Sequence, residues 1–185
     1  MSLRCYNINC FYLAGIHAGI QSGHAQKELS VKYLLNKDHG QGPKAVETLS
    51  EYLEHHKTVV VLNGGMFGDL LKVEKFFGQP ENTDYAWSAF RESEYALNNT
   101  LTNIAVVLPW HIYAFKSQIV DFMGSDYSAM SRVMDLAPGM TLILANGRLS
   151  LQVIFDHENG KAGKFEYSQF DIDLIKMIEP MKLMS

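Results

Sequence analysis

Hydrophobic and polar residues are arranged along the chain in two patterns, which predict its strands and helices. Short continuous or alternating apolar runs predict strands, whereas apolar residues three and four positions apart predict helices. The predicted strands cover residues 5–14, 58–62, 85–90, 101–108, 140–145 and 148–155. The predicted helices cover residues 15–35, 43–56, 69–77, 118–136 and 168–178. The remaining predictions are an extended segment and two loops, at residues 110–115, 36–43 and 158–163.

This order of elements predicts an α/β fold in three layers, α-β-α, around a mixed and partly parallel sheet. The β-branched run at 58–62 is typical of a central strand that is buried on both faces. An Asn-Gly pair between the last two predicted strands favours a tight hairpin. We expect a single domain over residues 1–185, with a core at 1–109 followed by a C-terminal elaboration at 110–185.

Three glycines recur at every fourth position of the first predicted helix, at Gly15, Gly19 and Gly23. Residues four positions apart share a helix face. Each glycine inside a helix costs about 1 kcal/mol relative to alanine. We therefore expect this smooth face to recover the cost by packing closely on the sheet.

Four polar side chains form a second stripe on the same helix, and we expect the functional site there. They are His17, Gln21, His24 and Glu28, spaced four, three and four residues apart. The helix follows a strand, and a helix N-terminus favours negative charge because its free N–H groups and its dipole both point there. The alternative is that the stripe is only the solvated face of the helix. A metal held by His24 and Glu28 is a third interpretation, but no H-E-x-x-H pattern supports it and we expect no metal.

A second loop, Asn63-Gly64-Gly65, follows the predicted strand at 58–62. In parallel α/β sheets, the loops that leave the carboxyl ends of the strands form the ligand crevice. Asn63 is therefore a candidate binding residue. The alternative is a tight turn in which a glycine adopts a positive φ.

Composition narrows the class of protein. Of 185 residues, 47% are hydrophobic and 19% are charged, which favours a folded core over disorder. No run of about 18 apolar residues is present, so we expect no membrane span.

Cys5 and Cys10 lie on one predicted strand, too far apart to pair within it, which fits a reducing cytoplasm. The net charge of -4 gives no general attraction to nucleic acid, and no phosphate-loop pattern is present, so we expect no cofactor.

Two stretches of the sequence resemble a known enzyme family. After the first predicted strand, residues 19–25 read G-I-Q-S-G-H-A, which resembles the A-A-Q-x-x-H-A signature of peptidyl-tRNA hydrolases of the second, archaeal and eukaryotic, type. Residues 90–92 (F-R-E) and 101–105 (L-T-N-I-A) are similar to the second half of that family and of its uncharacterised bacterial relatives. There, an acidic residue precedes a threonine that opens a strand. The resemblance covers residues 5 to about 109.

The resemblance implies a hydrolase that acts on an aminoacyl or peptidyl ester. Gln21 and His24 match the helix signature, Thr102 matches the threonine and Glu92 matches the acid, while His17 stands where the family has a lysine. The predicted catalytic residues are His24, Glu92 and Thr102, and the predicted substrate-binding residues are His17, Gln21 and Asn63. The implied partner is tRNA or a small-molecule ester, and a homodimer is left open. The alternative is a non-enzymatic module of the same fold that binds a ligand or a partner.

Overall fold

The structure is a computed structural model that describes residues 2–13, 15–36, 42–124, 131–156 and 161–184. The chain forms two compact units, one made of Met1–Trp110 with Met181–Ser185 and the other of His111–Pro180. The first unit contains a mixed four-stranded sheet and the second an antiparallel four-stranded sheet. The predicted α/β class is therefore confirmed. The number of domains stays a prediction.

The sheet of the first unit has the strand order β2-β1-β4-β3. Its strands are β1 (Leu3–Asn9), β2 (Thr58–Asn63), β3 (Trp87–Arg91) and β4 (Leu101–Pro109). Strands β1 and β2 are parallel, whereas β4 is antiparallel to both β1 and β3. The predicted mixed, partly parallel sheet is confirmed.

Helices cover both faces of this sheet. They are α1 (Gly15–Ser30), which continues as a π-helical turn over Val31–Leu35, α2 (Pro43–Glu51), which continues likewise over Tyr52–His56, α3 (Phe67–Phe77) and the short α4 (Glu94–Leu97). Leu29 of α1 and Leu49 of α2 belong to one core cluster with Cys5 of β1. Leu70 of α3 and Ile8 of β1 meet beside Gly64. Because Cys5 and Ile8 point to opposite faces of β1, the sheet lies between two helical layers.

Strand β2 is an edge strand of the sheet, not the central strand that its β-branched run predicts. Val59 is exposed, and β1 is the only strand that pairs with β2 in the described sheet. On its other side, the Asn63 N–H donates to the Lys182 carbonyl (2.9 Å) and the Met184 N–H donates to the Val61 carbonyl (3.0 Å). The prediction is wrong because β-branched residues favour extended chain without fixing the number of neighbouring strands.

The second unit contains a meander in the order β5-β6-β7-β8. Its strands are β5 (Ser131–Ala137), β6 (Met140–Ala145), β7 (Arg148–Asp156) and β8 (Lys161–Tyr167). Its helices are α6 (Lys116–Gly124) and α7 (Gln169–Ile178), and the short helix α5 (Trp110–Tyr113) precedes α6 in the chain. Asn146 and Gly147 both adopt positive φ, of 51° and 72°, between β6 and β7. The predicted hairpin and last helix are confirmed.

Several predicted boundaries are wrong. Strand β1 ends at Asn9, because the aromatic residues that extend the apolar run, Phe11 and Tyr12, are exposed in a turn. The predicted extended segment at 110–115 begins with α5, and the predicted helix at 118–136 ends with α6 and gives way to β5. Apolar residues of a short strand can match helical spacing by chance, so periodicity alone does not distinguish a helix from a strand in these segments.

No predicted strand corresponds to β8, because its first residues fall within the predicted loop at 158–163. Parts of the predicted loops at 36–43 and 158–163, and of the helix at 118–136, lie outside the described residues. Within the part of the chain that is described, no helix is both long enough and apolar enough to cross a membrane.

Candidate functional site

Helix α1 packs on the sheet through the side that carries Gln21. The buried residues of this side are Ala18, Gln21, Ser22, Ala25 and Leu29. The predicted packing of the glycine face is wrong, because a Cβ added at Gly15, Gly19 or Gly23 would meet nothing within 4 Å. Alanine and leucine remove more apolar surface from water than glycine does, so the sheet takes that face instead.

The four polar residues of the predicted stripe have different environments. Gln21 is buried, His24 is partly buried, and His17 and Glu28 are exposed. The four side chains therefore do not contact the same part of the sheet, although they share one side of the helix, because the sheet covers only part of that side. Only Gln21 reaches the strands through hydrogen bonds that the structure describes.

Gln21 joins two of the other predicted site residues. Its Nε2 donates a hydrogen bond to Oε1 of Glu92, and its Oε1 accepts one of 3.0 Å from the Thr102 hydroxyl. Glu92 follows β3 and Thr102 is the second residue of β4, 71 and 81 positions after Gln21. Gln21 and Thr102 are only 7% and 2% exposed, whereas Glu92 is partly exposed. We call these three residues the Gln21 network.

A second set of hydrogen bonds lies next to the Gln21 network. Asn9 and Asn103 are paired across β1 and β4, and Asn103 Nδ2 donates to Asn9 Oδ1 at 2.8 Å. Asn9 Nδ2 donates to Ser22 Oγ at 3.1 Å, and Ser22 Oγ donates to the Ala18 carbonyl at 2.7 Å. Both asparagines are completely buried, and Oδ1 of Asn103 has no hydrogen-bond partner among the described residues.

Sequence reasoning missed this second set. The available signal was weak: two asparagines, Asn7 and Asn9, within the apolar run of β1, and Asn103 near the start of β4. Only the strand register places Asn9 opposite Asn103. Such buried amides need partners, because an unpaired buried polar group costs about 1–3 kcal/mol.

His24 contacts the neighbouring residue Phe90 rather than the Gln21 network. The two ring centres are 4.7 Å apart with an interplanar angle of 58°. Its Nδ1 atom is buried and has no hydrogen-bond partner among the described residues. No described hydrogen bond links His24 to Glu92 or Thr102. The predicted catalytic role of His24 stays a prediction.

Asn63 holds the turn at the end of β2. Its Oδ1 accepts a hydrogen bond of 2.9 Å from the N–H of Gly65, whose φ is 84°. This is the geometry of the tight-turn interpretation. The Gly64 N–H donates to the Asn9 carbonyl (2.8 Å) and the Phe11 N–H donates to the Gly65 carbonyl (2.7 Å), so the loops after β1 and β2 are joined.

The chemistry available at the Gln21 network is that of a carboxylate, an amide and a hydroxyl in one chain of hydrogen bonds. Each amide nitrogen has two hydrogens, so Gln21 Nε2 keeps a second donor after its bond to Glu92. Glu92 is the ionisable member, and its partial exposure leaves it within reach of water. Among the described residues, no group of three or more His, Cys, Asp and Glu side chains is placed to hold a metal ion.

A scan of the chain against models of known protein families found no match, and a search of curated proteins found no significant match. The family resemblance therefore stays a prediction that rests on the residues that carry it.

Proposed function

We propose that the chain is a peptidyl-tRNA hydrolase-like protein that hydrolyses an aminoacyl or peptidyl ester at the Gln21 network. One observation supports this proposal above the others. Glu92 and Thr102 are both hydrogen-bonded to the side-chain amide of Gln21, and all three positions match the family resemblance although they are widely separated in sequence. A chance match of short motifs gives no reason for the glutamine, the acid and the threonine to meet.

In the proposed reaction, the Glu92 carboxylate removes a proton from a water molecule that attacks the ester carbonyl carbon. The oxyanion that develops on the carbonyl oxygen is stabilised by an N–H donor, and the second hydrogen of Gln21 Nε2 is the available donor in the network. When the ester bond breaks, the proton held by Glu92 passes to the departing ribose oxygen. The products are the free acid and the tRNA hydroxyl.

Within this proposal, Gln21 and Thr102 position Glu92. Thr102 donates to Gln21 Oε1 and so turns the amide nitrogen toward Glu92. His24 lies on the same side of α1, one helical turn after Gln21, and packs on Phe90, two residues before Glu92. We assign His24 to the edge of the substrate site, where its ring can contact the ester-bearing nucleotide.

The second candidate is a non-enzymatic module that binds the same kind of ligand. Two observations favour it: His24 has no described hydrogen bond to Glu92 or Thr102, and the position of the family lysine is held by exposed His17. A lysine can neutralise the charge of RNA or of an oxyanion, whereas a neutral imidazole cannot.

The two candidates are separated by measuring release and binding on the same substrate. The purified chain is mixed with an N-acetylaminoacyl-tRNA that carries a labelled amino acid, and free labelled acid is quantified. In parallel, retention of the tRNA on a filter reports binding. Catalytic release supports the hydrolase, and retention without release supports the binding module. If the protein neither releases the amino acid nor retains the tRNA, both candidates are excluded.

His24→Ala reports on the substrate edge in the same assay. We expect a higher KM with a smaller change in kcat, because His24 is assigned to binding rather than to proton transfer. A large loss of kcat with an unchanged KM would instead make His24 the base and contradict the role given to Glu92.

A further inference from the structure

A cavity of about 460 Å³ lies between the C-terminal part of α1 and the edge strand β3, apart from the Gln21 network. Its volume is within the range of ligand pockets, about 300–1,000 Å³. The lining residues come from the helix and its π-helical extension on one side and from β3 on the other: Glu28, Val31, Lys32, Asn36, Trp87, Ser88 and Ala89.

Lys32 supplies the positive charge of this cavity. Its Nζ donates to the Trp87 carbonyl at 3.0 Å and lies 4.0 Å from the centre of the Trp87 ring. Burial lowers the pKa of Lys32 to about 8, so the amine is still largely protonated at neutral pH. An ammonium has three N–H donors, and no described carboxylate forms an ion pair with this one. Lys32 therefore keeps donors for a ligand.

The outer edge of β3, with which no described strand pairs, supplies a backbone donor and a backbone acceptor. The N–H of Trp87 donates to the Tyr33 hydroxyl and its carbonyl accepts from Lys32, so both outward groups of Trp87 are occupied. Ala89 is two residues further on, and alternate residues of a strand point their N–H and C=O groups to the same side. No partner is described for the outward groups of Ala89, which lines the cavity.

We propose that this cavity binds the carboxyl terminus of an extended peptide, which adds antiparallel to β3 and places its terminal carboxylate at Lys32 Nζ. Main-chain pairing to a free edge gives such strand addition its affinity. The added strand must end beside Trp87, because Lys32 and Tyr33 already occupy the outward groups there. Because the end of the added strand lies next to the Lys32 ammonium, a terminal carboxylate is favoured there over an amino terminus. Antiparallel pairing directs that carboxylate toward Trp87, with the penultimate residue opposite Ala89.

Glu28 adds a preference for charge along the peptide. It is exposed, lines the same cavity and lies four residues before Lys32, on the same side of the helix. We expect a basic side chain near the peptide end to bind more tightly than an acidic one. The site uses no residue of the Gln21 network, so it does not depend on the proposed hydrolase activity.

The test compares two fluorescein-labelled hexapeptides that end in Lys-Val, one with a free carboxylate and one with a carboxamide. Fluorescence anisotropy with the intact chain measures their affinities. We expect the acid to bind at least tenfold more tightly, the usual size of a lost hydrogen bond to a charged group. Equal affinity of the two peptides, or no binding of either at millimolar protein, overturns the proposal.

Two pairs of variants locate the site. Lys32→Gln is expected to abolish the difference between acid and amide, whereas Lys32→Arg keeps most of it. Ala89→Pro removes the outward N–H without breaking a bond to β4, and we expect it to weaken both peptides while Ala89→Ser does not. Circular dichroism and thermal melting verify that each variant is folded.

The alternative to a peptide is a second copy of the chain that pairs with the edge of β3. Sedimentation velocity of the peptide-free protein tests it directly. A dimer that Ala89→Pro converts to monomer, together with absent peptide binding, would assign the β3 edge to self-association and reject the peptide site.

Discussion

Gln21 is the residue on which the account of the site depends. It is the one buried residue of α1 that hydrogen-bonds through its side chain to both Glu92 and Thr102. Its amide nitrogen bonds to Glu92, which follows β3, and its amide oxygen bonds to Thr102, near the start of β4. Removing the amide therefore affects three residues at once, and the consequence can be measured without knowing the substrate.

Gln21→Met keeps the length of the side chain and removes both hydrogen bonds. We expect the variant to lose about 1–3 kcal/mol of unfolding free energy, since the buried Thr102 hydroxyl keeps only the more distant Phe90 carbonyl, at 3.5 Å, as an acceptor. Urea unfolding measures the loss. The exposed residue Gln118 provides the control, because Gln118→Met should change stability by less than about 0.5 kcal/mol. Equal effects of the two substitutions would contradict the network.

Lys32 gives a prediction about pH. Burial lowers its pKa from 10.5 to about 8, so between these values the unfolded chain binds more protons than the folded one. Unfolding free energy then rises with pH in this window, because the folded state no longer holds a buried charge. Below about pH 8 both states are protonated and the contribution is constant.

The measurement compares the chain with Lys32→Met, which retains the aliphatic stem and cannot titrate. We expect the unfolding free energy of the original chain to rise relative to the variant between about pH 7.5 and 10. The comparison removes the shared effect of Cys5, whose thiol pKa burial raises to about 12. A difference that is constant with pH would show that Lys32 is not desolvated.

At the scale of elements, α1 shows what sequence patterning can and cannot supply. The helix and the strand before it could be predicted, because the spacing of apolar residues is a local property. The face that packs could not, since glycine, alanine and polar residues all recurred at helical spacing. Likewise, Asn9 and Asn103 meet only through strand register, which no local pattern contains.

The outer face of α1 yields an unusual stability prediction. Gly19→Ala should raise the unfolding free energy by about 1 kcal/mol, because the new methyl group meets nothing within 4 Å and alanine is the better helix former. Gly64 is the matched control. There, a Cβ would collide with Ile8 and approach Leu70, so Gly64→Ala should destabilise.

Thermal melting of the two glycine variants gives the comparison. Opposite signs are expected. A destabilising Gly19→Ala would mean that the glycine face of α1 is covered in the folded protein, and would restore the packing that the sequence analysis predicted.

At the scale of the whole molecule, the α/β class, the mixed sheet and the hairpin between β6 and β7 could be predicted from the sequence. Strand β5 could not, because its apolar residues also fit helical spacing, and its extended form depends on pairing with β6. The return of residues 181–184 to the edge of β2 could not be predicted either, since long-range pairing leaves no local signature.

This return gives a test of how the chain end contributes to the first unit. Met184→Pro removes the N–H that donates to the Val61 carbonyl, and we expect a loss of about 1 kcal/mol in unfolding free energy. Met184→Ala shortens the side chain and keeps the N–H, so it isolates the backbone contribution. Equal stability of the two variants would show that the terminal segment does not pair with β2 in solution.

The most direct test of the central claim is the initial rate at which N-acetylaminoacyl-tRNA is hydrolysed by Glu92→Gln. Glutamine has the same shape as glutamate but cannot take a proton from water, so the rate should fall about 100- to 10,000-fold. Glu94→Gln, an exposed neighbour two residues away, should retain the full rate. If Glu92→Gln hydrolyses the substrate as fast as Glu94→Gln does, the Gln21 network is not the site of the reaction.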